Sequence, residues 1–395
     1  MFTQSDSGTS ERDQDGRVSE ERGAAPFVPG LEGVVATETR LSSVDGKRGE
    51  LIVAGFPIEE LASRASFEEM LHLLWNDALP TEKQLTDLRR DLVVRRALPK
   101  VTTAILKAAA FEQVPPMDAL RMASGTLDSS DDDRDDALRL VAAFPTIAAA
   151  NWRLSQGQKP VEPDPELSHA ANYLYMLSGE TPTPEQTRAL ETYLNTVSDH
   201  GMNASTFAAR VIVSTRSDLV SAMVGAVGAL KGPLHGGAPG PALDLVFEIG
   251  EPYRAEEYLR AKLERGERLM GFGHRVYKVR DPRADVLSAA AERLYASDAD
   301  QELYRLALEV EKTAIRLLEE YKPERNLNTN VEFYTALLLH GLGLPTQLFS
   351  PTFAVGRVAG WTAHCFEQRE LDRLIRPQSQ YIGPEGRRWV PLEER

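Results

Sequence analysis

Cysteine is nearly absent from this chain of 395 residues, where Cys365 stands alone. One thiol cannot form a disulfide framework or a cysteine zinc site within a chain, so the small stapled folds are excluded and a reducing cytoplasmic setting is expected. Aromatic residues make up only 7% of the sequence. Apolar stretches such as Leu138 to Ala150 lack the two-residue alternation of half-buried strands, which points to helix. The longest apolar run, Leu219 to Leu230, is too short to cross a bilayer. The first residues, Met-Phe-Thr-Gln-Ser-Asp-Ser, have neither the charged nor the apolar region of a signal peptide. Acidic residues outnumber basic ones 59 to 45, for a formal net charge of −14. That balance disfavours nucleic acid and anionic membrane as partners, because both need a basic face.

What is present reads as a mostly helical, enzyme-sized protein, long enough for two domains. Residues 1–25 are polar and charged and are expected to be a disordered tail. The acidic run Asp128 to Asp136 lacks the glycine and final glutamate of a calcium loop, and reads as a solvated loop. Ser66 with Glu69 and Thr81 with Gln84 have capping-box spacing, and Thr183-Pro184-Glu185-Gln186 adds proline at the first helical position. Leu85, Leu88 and Leu92 share a helix face, with Pro99 read as the end of that helix. A third helix ends near Asp199 and His200. Asn330 can cap a helix running to about His340, which puts Glu332 in its first turn. From Ser350-Pro351 a further helix places Arg357, Trp361 and His364 on one face.

The densest chemistry lies in Gly271-Phe-Gly-His-Arg-Val-Tyr-Lys-Val-Arg-Asp-Pro-Arg283, a histidine and four basic residues in an acidic protein. Such a cluster suits a small anion. With two glycines it is neither a dinucleotide fingerprint nor a Walker loop. His235 and His274 stand in glycine-containing turns, where an imidazole can project into a cleft, whereas His72 and His340 lie within apolar helical segments and read as structural. None of the histidines has metal-ligand spacing, so no metal is expected. Arg283 reads either as half of a surface salt bridge or as a two-pronged carboxylate ligand. Arg357, among apolar neighbours, needs an anion. Together, arginines could hold a dicarboxylate, neutral histidines could polarise carbonyls, and a carboxylate could remove a proton next to a carbonyl.

Lys231-Gly-Pro-Leu-His-Gly-Gly-Ala238, the basic cluster, Asn330-Val-Glu-Phe-Tyr334 and Leu374-Ile-Arg-Pro377 occur in an order that resembles the citrate synthase family. So do Ser42-Ser-Val-Asp-Gly46, His169-Ala-Ala-Asn-Tyr-Leu-Tyr175 and His200-Gly-Met-Asn-Ala-Ser-Thr206, and the resemblance runs from about Gly30 to Arg395. It implies an all-α fold of two domains: a large one built from 26–224 and 346–395, and an inserted small one over 225–345, closing over the site. It also implies condensation of acetyl-CoA with oxaloacetate and hydrolysis of citryl-CoA, without metal or redox cofactor, the thioester being a substrate.

By the same resemblance His235 stabilises the enolate, His274 polarises the ketone and Glu332 is the base. His200, Arg283, Arg357 and Arg376 hold oxaloacetate, Arg376 reaching across a homodimer interface. Ser205 steadies His235, and Lys278 meets a phosphate of coenzyme A. Glu332 departs from the family's usual aspartate, lengthening the reach by one bond of about 1.5 Å, and Pro239 stands where asparagine is frequent. A 2-methylcitrate synthase using propionyl-CoA, or a non-catalytic ligand-binding paralogue, are the competing readings.

Overall fold

The computed structural model describes residues 27–236, 239–274, 277, 279–296 and 301–395. The expected tail over 1–25 and the coenzyme A contact at Lys278 therefore lie outside the described residues. Two units are formed, one by Thr39–Ile375 and one by the described residues up to Glu38 together with Arg376–Arg395. The latter holds only single turns, at Pro29–Leu31 and Leu392–Glu394.

The main unit opens with a small antiparallel sheet of β1 (Ser42–Asp45), β2 (Glu50–Val53) and β3 (Phe56–Pro57), in that order, with Ser42 opposite Val53. Helices follow: α1 (Ile58–Leu61), α2 (Phe67–Asn76), α3 (Glu82–Val93), α4 (Lys100–Phe111), α5 (Pro116–Ser124) and α6 (Asp133–Ser155). Next come α7 (His169–Ser178), α8 (Pro184–Val197), α9 (Ala204–Ser214), α10 (Leu219–Leu230), α11 (Pro239–Ile249) and α12 (Ala255–Glu264). The series closes with α13 (Pro282–Tyr295), α14 (Gln301–Tyr321), α15 (Val331–Gly341) and α16 (Phe349–Leu371). The all-α expectation holds, and among the described residues no helix is long and apolar enough to cross a membrane.

Local chemistry explains the starts. Ser66, Thr81 and Thr183 each accept from the backbone three residues on while that residue's side chain returns to the cap, satisfying two orphan donors at once. Asn203 caps α9 and Asn330 caps α15. Two expectations need correction. The helix of Leu85, Leu88 and Leu92 ends at Val93, and Pro99 instead opens α4. The turn between them buries Arg96, which donates to the carbonyls of Asp164 and Leu167. The acidic run is a solvated loop only in its first half, where Asp128, Asp131 and Asp132 are exposed. Asp132 caps α6, Asp136 is buried and accepts from Ser130, and Asp135 pairs with Arg95 and Arg139. A sequence count of charges cannot see that these acids meet arginines from elsewhere.

The centre of the core is α16, buried along nearly its whole length against α6, α8, α9 and α10. Close approach depends on Gly360, where a Cβ would come within 2.2 Å of the Ser198 carbonyl oxygen and 2.8 Å of Asp199 Oδ1. This brings Arg357, Trp361 and His364 against the end of α8 and the start of α9. Gly360→Ala is expected to cost about 1–3 kcal/mol by overpacking, read as a lower midpoint of thermal or denaturant unfolding.

Candidate active site

Three connections and the middle of α16 meet at one place. The first is the turn after α10. His235 N–H bonds the Gly232 carbonyl at 2.9 Å, and the Gly236 carbonyl accepts from Ser350 Oγ at 2.6 Å, tying the turn to α16. His235 Nε2 lies 2.8 Å from Ser205 Oγ. Ser205 also accepts from the Trp361 indole at 3.1 Å and lies 2.8 Å from Asn203 Oδ1. With one hydroxyl proton, Ser205 can donate to Asn203 or to His235 but not to both. Burial, then the charge of Arg357, pushes the His235 imidazole down to about 4, so it is neutral at pH 7.

The second connection, between α8 and α9, carries His200. Burial first, and then Arg283, Arg357 and His274, hold this imidazole well below its ordinary value. Its Nε2 is 3.1 Å from Tyr277 Oη, and its ring lies 6.0 Å from that of His274. The third connection is the loop from Gly271 to Arg283. His274 Nδ1 accepts the Tyr277 backbone N–H at 3.1 Å, so in the neutral ring the proton sits on Nε2.

That loop is zipped to the start of α15. Asn330 N–H bonds the Gly271 carbonyl at 3.0 Å, Asn330 Nδ2 bonds the Gly273 carbonyl at 2.8 Å, and Gly273 N–H bonds the Asn328 carbonyl at 2.7 Å. Gly271 and Gly273 make this possible, with φ of +88° and +84°. Behind the zipper, Glu311 accepts from Arg280, Thr329 and Tyr334 at 2.5, 2.6 and 2.5 Å. The loop bearing His274 and the first turn bearing Glu332 are thus one rigid piece.

Arg283 is buried and grips Asp281 with two prongs, Nε to Oδ1 at 3.0 Å and Nη2 to Oδ2 at 2.8 Å. The surface salt bridge is therefore a buried pair, leaving Nη1 with no hydrogen bond among the described residues. Arg357 rests over the Phe353 ring at 4.6 Å and, among the described residues, donates only Nε, to the Val197 carbonyl. Burial pushes Arg357 down to about 10, still a cation at pH 7. The Glu332 carboxyl is raised to about 7 by burial, against the pull of Arg283.

The structure gathers His200, His235, His274, Glu332, Arg283, Arg357 and Ser205. Arg376 belongs to the other unit, is exposed, and makes no hydrogen bond or ion pair among the described residues. Sequence reasoning missed Tyr277, Trp361's bond to Ser205, Asn203's part in that network, and Tyr193. The Tyr193 hydroxyl is buried with no hydrogen bond among the described residues and feels Arg357, Glu332 and Arg283. Asn203 was within reach as a helix cap; the others carry no local signal.

Neutral imidazoles, a carboxylate tuned near neutrality and two arginines with donors unfilled among the described residues suit an enzyme that makes an enolate and adds it to an anionic carbonyl compound. The model of the citrate synthase C-terminal domain matches residues 30–378, and the chain belongs to the citrate synthase family. Citrate synthase 2 of Bacillus subtilis (strain 168) is 43% identical over 93% of this chain and 98% of its own. Relatives named 2-methylcitrate synthase are 37–38% identical. The crystal structure of citrate synthase from Pyrobaculum aerophilum superposes with a TM-score of 0.85 at 36% identity, covering 100% of this chain and 99% of that one. A ternary complex of carboxymethyl coenzyme A and oxaloacetate with the Thermoplasma acidophilum enzyme gives 0.83 at 32% identity, over 93% of this chain and 98% of that one.

The raised Glu332 pKa has a consequence for stability. Folding takes up a proton between pH 4.5 and about 7, so the favourable contribution is complete below 4.5 and lost as pH rises through about 7. Relative to non-titrating Glu332→Gln, the native enzyme should lose at most about 3 kcal/mol across that window. Glu332→Gln is expected to unfold at a higher temperature than wild type at pH 8 and at a similar one near pH 4.5, measured by thermal scans at both.

Proposed function

We propose that the protein condenses acetyl-CoA with oxaloacetate to citrate and CoA, with Glu332 as base and His235 and His274 activating the two carbonyls. The observation that carries this reading is the Glu332 carboxyl near neutrality beside buried arginines that lack partners for part of their donors. Ionised Glu332 removes a proton from the thioester methyl group. A base whose pKa lies near the working pH is both available and strong enough for this step. The enolate oxygen is met by His235. For Nδ1 to carry the donating proton, the Ser205 hydroxyl donates its hydrogen bond to Nε2, and Asn203 is left with the Thr206 backbone donor at 3.1 Å.

The enolate carbon then attacks the oxaloacetate ketone, polarised by the Nε2–H of His274, which passes its proton to the new alkoxide. Water hydrolyses the citryl-CoA thioester. His200, Arg283 and Arg357 hold the carboxylates, a task for which guanidinium forks are suited. The reaction needs no redox cofactor, and Lys278 is assigned to a coenzyme A phosphate. Closure of a small domain over 225–345 would exclude water from the enolate.

We assign the active unit as a homodimer in the cytoplasm, Arg376 completing the partner's site. Exposed Arg376 is followed by a segment with little regular structure that exposes Tyr381 (68%), Ile382 (92%) and Trp389 (79%). Apolar side chains of this size on an exposed segment mark an interaction surface. The higher identity to relatives named citrate synthase favours acetyl-CoA over propionyl-CoA. One methylene changes discrimination by only about 1–3 kcal/mol, so the two thioesters are the decisive comparison.

CoA thiol release with oxaloacetate is expected to show a higher kcat/KM for acetyl-CoA than for propionyl-CoA, and kcat/KM should fall as pH drops below about 7. Glu332→Gln should lower kcat by roughly a thousandfold while oxaloacetate still binds. Wild-type turnover by that variant removes Glu332 as base, and no release from either thioester overturns the reading.

A shared site makes a separate prediction. Arg376→Ala and Glu332→Gln proteins, each inactive, should regain about a quarter of wild-type activity when mixed dimers form, because half the dimers then hold one intact site. Absence of any recovery after confirmed subunit exchange would place Arg376 in its own subunit's site.

A further inference from the structure

The motif Ser42-Ser-Val-Asp-Gly46 has no part in the chemistry above, yet it forms β1 and the turn after it, and touches the oxaloacetate side of the site at two places. Ser42 Oγ donates to Asp199 Oδ2 at 2.5 Å and accepts the Gly201 N–H at 2.8 Å. It thereby bridges the residues on either side of His200. Asp199 is wholly buried, and its other oxygen meets His364 Nε2 at 3.0 Å. His364 Nδ1 faces Arg210 Nη1 at 3.1 Å. Because arginine only donates, that nitrogen is an acceptor and Nε2 carries the proton given to Asp199. Arg210 in turn bonds Glu367 at 2.9 Å and Gln368 at 3.0 Å, and Glu367 accepts the backbone N–H of Arg40, two residues before Ser42, at 3.0 Å.

The entry to β1 is therefore pinned twice to one buried network on α9 and α16. At the far end of the hairpin, Gly49 has φ +68°, and a Cβ there would lie 2.7 Å from Val279 Cγ2 and 3.1 Å from the Arg280 carbonyl oxygen. The hairpin thus stands against both the His200 connection and the segment leading to Arg283.

We propose that Ser42 is a positioning residue for oxaloacetate, holding the His200 connection in register by joining the Asp199 carboxylate to the Gly201 amide. The proposal rests on the reading of His200 as an oxaloacetate ligand. Loss of the hydroxyl leaves Asp199 Oδ2 with only the Gly201 N–H, 3.4 Å away. His200 then loses its fixed place while Glu332, His235 and the net charge of the site are unchanged. Ser42 is the group to alter, since removing the charge of Asp199 would also change the attraction of the site for a dianion.

Steady-state kinetics on the full-length protein test this with Ser42→Ala, Ser42→Thr and, as a control, His200→Ala. Ser42→Ala should raise the oxaloacetate KM roughly tenfold, as expected for a lost hydrogen bond to a charged group. Its acetyl-CoA KM should stay within about twofold of wild type, and Ser42→Thr, which keeps the hydroxyl, should stay close to wild type in both. An unchanged oxaloacetate KM in Ser42→Ala, with a raised one in His200→Ala, overturns the proposal and leaves the site reading intact. Equal damage from Ser42→Thr and Ser42→Ala also overturns it, since packing rather than the hydroxyl would be responsible. An unchanged oxaloacetate KM in His200→Ala removes the reading on which the proposal stands, and the proposal with it.

Discussion

Arg357 is 2% exposed, with its guanidinium over Phe353 and only Nε given to a carbonyl of the protein. A cation taken this far from water is costly unless an anion meets it, and here the protein supplies only part of what is needed. Much of the site follows from that shortfall. The same positive field, added to burial, keeps His200 and His235 neutral and hence able to donate without carrying charge. Arg283 differs because Asp281 already neutralises it in part, and it is the arginine whose charge acts on Glu332. Burial and Arg283 pull the glutamate in opposite directions, and burial wins, leaving a carboxyl that is half ionised near pH 7.

Rigidity is the second requirement, because proton transfer and carbon attack depend on positions held to a fraction of an ångström. The His274 loop and the Glu332 turn are bound by backbone hydrogen bonds and by the buried Glu311 carboxylate, so His274 and Glu332 share one piece. His235 is held from α9 and α16 through Ser205 and Trp361. His200 is held from the N-terminal hairpin and α16 through Ser42, Asp199 and His364. Each imidazole thus depends on partners distant in sequence.

Much of the helical framework is legible along the chain. Capping boxes at Ser66, Thr81 and Thr183 and the cap at Asn330 are local hydrogen-bond arrangements, complete within four residues, so these helix starts were legible. Glycine-bearing turns disclosed His235 and His274, and the apolar surroundings of Arg357 disclosed a buried cation. Tertiary structure decided what depends on partners far along the chain. The three-stranded sheet is too short to show a period, and Asp135 is paired with Arg95 and Arg139 rather than left to water. Arg283 became a buried ion pair, Ser42 and Asp199 met across 157 positions, and Glu332 acquired its raised pKa. Desolvation and long-range hydrogen bonds are properties of a place in space, and no local pattern of residues encodes them.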